Sequence, residues 1–179
     1  MTGRRTSIGV ILSLALVIVL PASAQRRRDP LNPEEVNQLR DAMVEPDQRL
    51  KLYVKFARDR MNKLEQMRTD PKTTDRARQT HDMLADFLSV YDELNDNVDM
   101  YVGRKDDIRK PLKLVIEADI EFQSKLCALK DAANADATEA KQYEFLLSNA
   151  IETVDSSADD HRSTIAEVEK YLKSKKKTK

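Results

Sequence analysis

The stretch LADFLSVYDELNDNVDMY, residues 84–101, places its apolar side chains at steps of three and four residues. This spacing puts them on one face of an α-helix and leaves a charged opposite face for solvent. Similar stripes occur within residues 50–64, 112–129 and 147–172. Stripes that recur every 3.5 residues on average are typical of long helices that pack side by side. The stripe in residues 84–101 consists of Leu84, Phe87, Tyr91, Leu94, Val98 and Tyr101.

Glycine and proline divide the chain between these stripes. Of its three glycines, only Gly103 lies after residue 24, whereas sheet-rich folds need glycine at turns and bulges. Prolines and short polar turns separate the helical segments, and we expect Gly103 to end one helix in a left-handed conformation. A further turn is expected near Ala135. We therefore predict an all-α fold, an antiparallel four-helix bundle with a short extra N-terminal helix.

The first 24 residues have the three parts of a secretory signal. Arg4 and Arg5 precede an apolar run over residues 8–20, and Ala22-Ser23-Ala24 forms a small-residue cleavage site. The run is shorter than the roughly 20 residues that span a bilayer as a helix. We predict a cleavable signal peptide at 1–24, a single helical-bundle domain at 25–172 and a basic flexible tail at 173–179. The protein is then exported to the periplasm or the extracellular space; the alternative is anchoring by an uncleaved segment, because three arginines follow the cleavage site.

The charge balance limits the classes of partner. The chain carries 31 basic and 31 acidic residues, and residues 1–24 hold two of the basic ones and no acid, so residues 25–179 have 29 minus 31, or −2. This balance predicts no nucleic-acid binding. Apart from the three arginines after residue 25, positive charge is concentrated at the end of the chain, where a weak contact with an anionic surface is an alternative to simple solvation. These lysines are Lys173, Lys175, Lys176, Lys177 and Lys179.

Residues that carry chemistry are sparse. The sequence has no zinc-protease, haem-attachment or nucleophile motif, and we predict no enzyme activity and no cofactor. His161 and Asp119 lie on apolar stripes, so the alternative is a bundle that holds a metal or haem. With a turn near Ala135, these two residues are expected about 15 Å apart, and Asp119 either turns outward or bonds Tyr91. The single cysteine, Cys127, is expected to be a small buried residue.

The last predicted helix is longer than its neighbour. Folded back from Ala135, it would extend past the preceding helix by roughly 20 Å. The extension carries an apolar stripe of Ile165, Val168 and Leu172. Either the short N-terminal helix covers this stripe, or the stripe is a surface for a partner or for a second copy in a homodimer.

The segment that opens the first helix, Leu31-Asn32-Pro33-Glu34-Glu35 followed by Val36-Asn37-Gln38-Leu39, resembles the Leu-Thr-Pro-Glu-Gln segments of small periplasmic helical stress chaperones. The resemblance covers about nine residues, with Asn32 in place of threonine, and implies a chaperone-like role. We therefore predict a non-enzymatic exported helical protein that binds another protein or an envelope component, as an adaptor or in a chaperone-like manner.

Overall fold

The computed structural model of the chain describes residues 29–177, with side chains described as far as Lys175. The predicted signal peptide and its cleavage site lie outside the described residues. Within them the fold is all-α: 84% is helical and no strand occurs. The helices are α1 Pro33–Asp41, α2 Pro46–Thr69, α3 Arg76–Gly103, α4 Arg109–Ala135, α5 Ala137–Ala140 and α6 Glu144–Lys177.

The apolar stripes form one core. All six residues of the stripe predicted in α3 are at most 1% exposed, which confirms their common face. The rings of Phe87, Tyr91 and Phe122 lie 5.2 to 6.0 Å apart, centroid to centroid, and join α3 to α4 through the centre of the molecule. Edge-on and offset contacts of this kind add about 0.5–1.5 kcal/mol per pair to the free energy gained by burial.

The long helices pack in a definite set of pairs. Contacts between α2 and α3 join residues 12 apart in sequence at Arg68 and Thr80 but 48 apart at Arg49 and Asn97. A separation that grows in this way indicates antiparallel helices. In α4 and α6 the separation likewise grows, from 32 to 42 residues. Contacts between α2 and α4 instead stay 60 to 63 residues apart, so these two helices run in the same direction.

Helix α1 is held against α2 by polar contacts. Asn32 and Glu35 form a capping box, in which each side chain accepts the other residue's backbone N–H at 2.9 Å. Arg60 of α2 donates to the Glu35 carboxylate at 2.5 and 2.6 Å. Arg49 donates to the carbonyl oxygen of Leu39 at 2.8 Å, so two arginines fix both ends of α1.

The predicted cap at Gly103 is wrong. Gly103 closes α3 with an ordinary helical conformation, and the left-handed residue is Lys105, with φ of 61°. The backbone N–H of Asp106 donates to the carbonyl of Tyr101, while that of Lys105 donates to Val102. This six-to-one closure needs left-handed geometry two residues beyond Gly103, and here a lysine adopts it.

The hairpin between α4 and α6 turns later than predicted. The chain does not reverse at Ala135 but forms the short helix α5 and a turn before α6 begins at Glu144. Tyr143, at the end of this turn, is 1% exposed and lies beneath the guanidinium of Arg68, 5.5 Å from the ring centroid. Since Asp119 meets His161, the hairpin is centred near residue 140. The five-residue shift of the centre moves α6 by ten residues, or about 15 Å, along α4.

This register removes the predicted extension. Val168 is 8% exposed and lies level with Leu112, while Ile165 is partly buried against the core and Leu172 is half-buried. The stripe therefore packs within the helical body, and the expected exposed partner surface is not present there. Helix α1, the other expected cover, packs on α2. Helix α6 continues to Lys177, past the predicted start of the tail at residue 173.

Candidate functional site

A polar network lies inside the apolar core, halfway along the long helices. The Tyr91 hydroxyl donates to Oδ1 of Asp119 at 2.7 Å, and Nδ1 of His161 lies 2.9 Å from Oδ2 of the same carboxylate. Tyr91 and Asp119 are fully buried, and His161 is 4% exposed. The three residues come from α3, α4 and α6. The predicted bond between Tyr91 and Asp119 is confirmed, whereas the expected 15 Å separation of Asp119 from His161 is wrong because of the later turn.

The carboxylate of Asp119 determines the roles of its neighbours. A carboxylate in its ionised form only accepts hydrogen bonds, so with Asp119 in that form the Tyr91 hydroxyl donates to it, as does Nδ1 of His161 in the tautomer that carries hydrogen there. Burial raises the pKa of Tyr91 far above its ordinary value, and the negative charge and hydrogen bond of Asp119 raise it further. Tyr91 therefore stays a neutral donor at any physiological pH.

The network continues on the Tyr91 side. The Ser157 hydroxyl of α6 forms a hydrogen bond with Tyr91 and also accepts from Asn95 of α3 at 2.9 Å. Each bond in the set joins two different helices. The chemical effect of the arrangement is to fix the relative positions of α3, α4 and α6, because any slip of one helix leaves a buried polar atom without its partner.

The network also bears on the alternative of a bound metal. The two candidate ligands, His161 and Asp119, are in contact through Nδ1 and Oδ2, so these two atoms are already used in the network. In the part of the chain that the structure describes, no group of three or more His, Cys, Asp or Glu side chains is placed to hold a metal ion. Asp92 and Asp96 of α3 line an open groove together with Asp29 and Glu93.

Arg60 is an inward-facing arginine that sequence reasoning missed. Arg60 is 8% exposed and forms a buried ion pair with Glu35. Burial raises the pKa of Glu35, but the hydrogen bonds from Arg60 and from the Asn32 backbone, together with the charges of Arg60 and Lys63, lower it overall. A signal was present: Arg60 follows Ala57 by three residues on the apolar stripe of α2, where a charged residue needs a buried partner.

Cys127 is exposed, which contradicts its predicted burial. Its neighbour Leu126 lies on the buried stripe with Phe122 and Leu129, all at most 7% exposed. One residue rotates a helix by about 100°, so the position after a stripe residue points away from the core. Adjacency to an apolar residue in sequence was therefore the wrong criterion.

The surface retains several large apolar side chains. Phe145, at the start of α6, is 87% exposed, and Val44, in the turn between α1 and α2, is 79% exposed. A shallow apolar groove of about 240 Å³ runs between α2 and α4, lined by Met61, Leu64 and Leu129 among others. The remaining exposed apolar residues in the described part are Met43, Met100, Leu114, Ile120 and Tyr171.

No helix among residues 29–177 is long and apolar enough to cross a membrane. Comparison with known proteins adds no assignment: no protein-family model, no curated protein and no solved structure matches this chain.

Proposed function

We propose that the protein is a non-enzymatic exported helical protein that binds another protein or an envelope component through its surface. Export rests on the sequence of residues 1–24, with its charged start, apolar run and Ala22-Ser23-Ala24 site. A chaperone-like or adaptor role is supported by the resemblance of residues 31–39 to small periplasmic helical chaperones.

The body that carries out this binding is, in our proposal, a four-helix bundle of α2, α3, α4 and α6. The helices alternate in direction along the chain, and the pairing of α2 with α3 and of α4 with α6 supports two antiparallel hairpins placed side by side. Helices α2 and α4 then run parallel where the hairpins meet. The buried contacts of Asp119 across three helices support a rigid bundle, on which exposed residues keep fixed positions.

The observation that carries the binding function is the exposure of Phe145. A phenylalanine side chain loses about 1.5–3 kcal/mol when it stays in water instead of being buried. Tyr143, two positions earlier, is buried, so Phe145 points away from the core. Aromatic side chains, phenylalanine included, are enriched where a protein surface contacts a partner, which supports such a role for Phe145.

Site-specific photo-crosslinking in intact cells tests this function. A photoreactive residue at position 145 or 44 should give a discrete adduct, because these side chains are the ones that a partner would cover. Glu152 and Lys72, both exposed, provide matched polar positions on the same molecule. Identical adduct patterns at apolar and polar positions, or the absence of both protein and lipid adducts at every position, would contradict the proposal.

A further inference from the structure

One end of the molecule combines exposed apolar side chains with positive charge. At this end α2 and α4 begin, and α3 and α6 end. The first turns of α2 and α4 lie side by side, with Nζ of Lys110 3.8 Å from Oδ2 of Asp47. The α3–α4 turn meets α6 here too, with Nζ of Lys105 lying 5.8 Å from the ring centroid of Tyr171. We name this the lysine end and define it by Met43, Val44, Met100, Lys105, Tyr171, Lys173 and Lys175.

The apolar residues of the surface are concentrated at the lysine end. Of the seven large apolar side chains that are exposed in the described residues, four belong to it. Val44 and Met43, at 79% and 59% exposed, lie in the turn before α2, while Met100 and Tyr171 are in the last turns of α3 and α6, at 43% and 37%.

The charge at this end is positive although the whole chain is balanced. From Lys170 onward the sequence has six lysines and no acidic residue. Nζ of Lys175 lies 6.0 Å from the centroid of the Tyr171 ring, so this aromatic ring lies between Lys105 and Lys175.

Four acidic side chains of the lysine end have basic partners close by, which limits their effect on the local field: Asp47 with Lys110, Asp106 with Arg104, Asp107 with Arg109 and Glu169 with Lys173. Asp41, Glu45 and Asp99 are exposed at the same end and reduce its positive charge, which the lysines from Lys170 onward outnumber.

We infer that the lysine end docks on an anionic lipid bilayer, which rests on the proposed function and specifies its envelope component. Exposed apolar side chains surrounded by lysines match the boundary between the acyl chains and the headgroups of such a bilayer. A second copy is a poor occupant, because two identical lysine ends repel each other. Val44 and Met43 enter the interface, Tyr171 lies at headgroup depth, and the lysines contact the anionic headgroups.

Vesicle flotation tests the inference on the protein in the form recovered from its own cells. The probes are vesicles of phosphatidylcholine alone and of phosphatidylcholine with about one-third phosphatidylglycerol. The protein should bind the anionic vesicles more tightly, and added salt should weaken this binding. The double variant Lys173→Gln/Lys175→Gln should lower the partition coefficient by roughly 30-fold, at about fivefold per lysine. Val44→Ser should lower it by roughly tenfold.

Matched controls lie at the opposite end of the molecule. Lys72→Gln/Lys141→Gln removes the same charge, and Phe145→Ser removes an apolar side chain; neither should change vesicle binding. All of these positions are exposed, so equal helicity and equal unfolding midpoints should show that every variant folds.

Three results would overturn the inference: equal affinity for both vesicle types, equal losses from the opposite-end variants, or absence of vesicle binding. A crosslinked protein adduct at position 145 together with no vesicle binding would remove the membrane inference and keep the binding function. Vesicle binding without any adduct at position 145 would support the inference.

Discussion

The substitution Asp119→Ala should destabilise the protein strongly. The substitution removes the carboxylate that contacts both the Tyr91 hydroxyl and Nδ1 of His161. Tyr91 and His161 then stay buried without this partner. A buried polar group that loses its hydrogen-bond partner costs about 1–3 kcal/mol, so two such groups together cost about 2–6 kcal/mol. We therefore expect the free energy of unfolding to fall by about that amount, measured by urea denaturation with circular dichroism as the readout.

A matched variant on the same helix separates this effect from a general effect of alanine. Glu117 lies two residues earlier in α4 and is exposed, so Glu117→Ala should change the free energy of unfolding by no more than about 0.5 kcal/mol. The two variants remove a carboxylate from the same helix and differ in burial.

A double-mutant cycle identifies the interaction itself. Tyr91→Phe should cost about 1.5–3 kcal/mol in the native background, because the hydroxyl bonds to a charged group, and much less in the Asp119→Ala background. A loss below about 1 kcal/mol for Asp119→Ala, or additive effects of the two substitutions, would refute the reasoning that the network holds three helices together.

Further predictions concern titration and exposure. Because the pKa of Tyr91 is raised in the native state, its contribution to stability is complete below pH 10.0, the ordinary pKa of tyrosine, and decreases above that pH. Urea unfolding at rising alkaline pH should therefore show a steeper loss of stability for the native chain than for Tyr91→Phe. Because the pKa of Glu35 is lowered in the native state, its contribution to stability is present above pH 4.5 and is lost as the pH falls. Glu35→Gln should therefore make the free energy of unfolding fall less steeply in acid. An unchanged dependence on acid pH would contradict this. Cys127 should react with a thiol reagent in the folded protein nearly as fast as in urea; protection until unfolding would show that it is buried. Phe145→Ser should leave the free energy of unfolding within about 0.5 kcal/mol of the native value, because the side chain is exposed. Phe87→Ala should lower the free energy of unfolding by about 3–5 kcal/mol in the same assay.

The sequence predicts the helices and their inner faces well because helical periodicity is a local property. The stripe from Leu84 to Tyr101 is buried as expected, since the spacing of apolar residues alone determines which face leaves water. The bond from Tyr91 to Asp119 was one of two alternatives for Asp119, and the structure shows it because the loop that joins α3 to α4 is short and brings these positions level.

The relative positions of α4 and α6 could not be obtained in this way. The segment around Ala137–Ala140 has helix-forming residues and no glycine or proline, so it reads as part of one long helix. The burial of Tyr143 under Arg68 is a tertiary contact, and it forces a second turn before α6 begins. The predicted turn is centred five residues too early, and this error shifts the predicted alignment of α6 against α4 by ten residues. The prediction therefore placed Asp119 far from His161 and left Val168 exposed.

The ion pair of Arg60 with Glu35 depends on how α1 docks on α2, which no local pattern specifies. The candidate binding surfaces have a similar origin. Phe145 is exposed because Tyr143, four residues before the buried Leu147, takes the core-facing position.

Nitrogen and proton NMR of the two histidine rings tests the central claim, the buried network, most directly. His81 is exposed and serves as the internal reference. At neutral pH, His161 should show an Nδ1–H resonance that is protected from exchange with solvent and that disappears in Asp119→Ala. His81 should show no such protected proton. Two rings with the same rapid exchange would contradict the network and the register of α4 and α6 on which it depends.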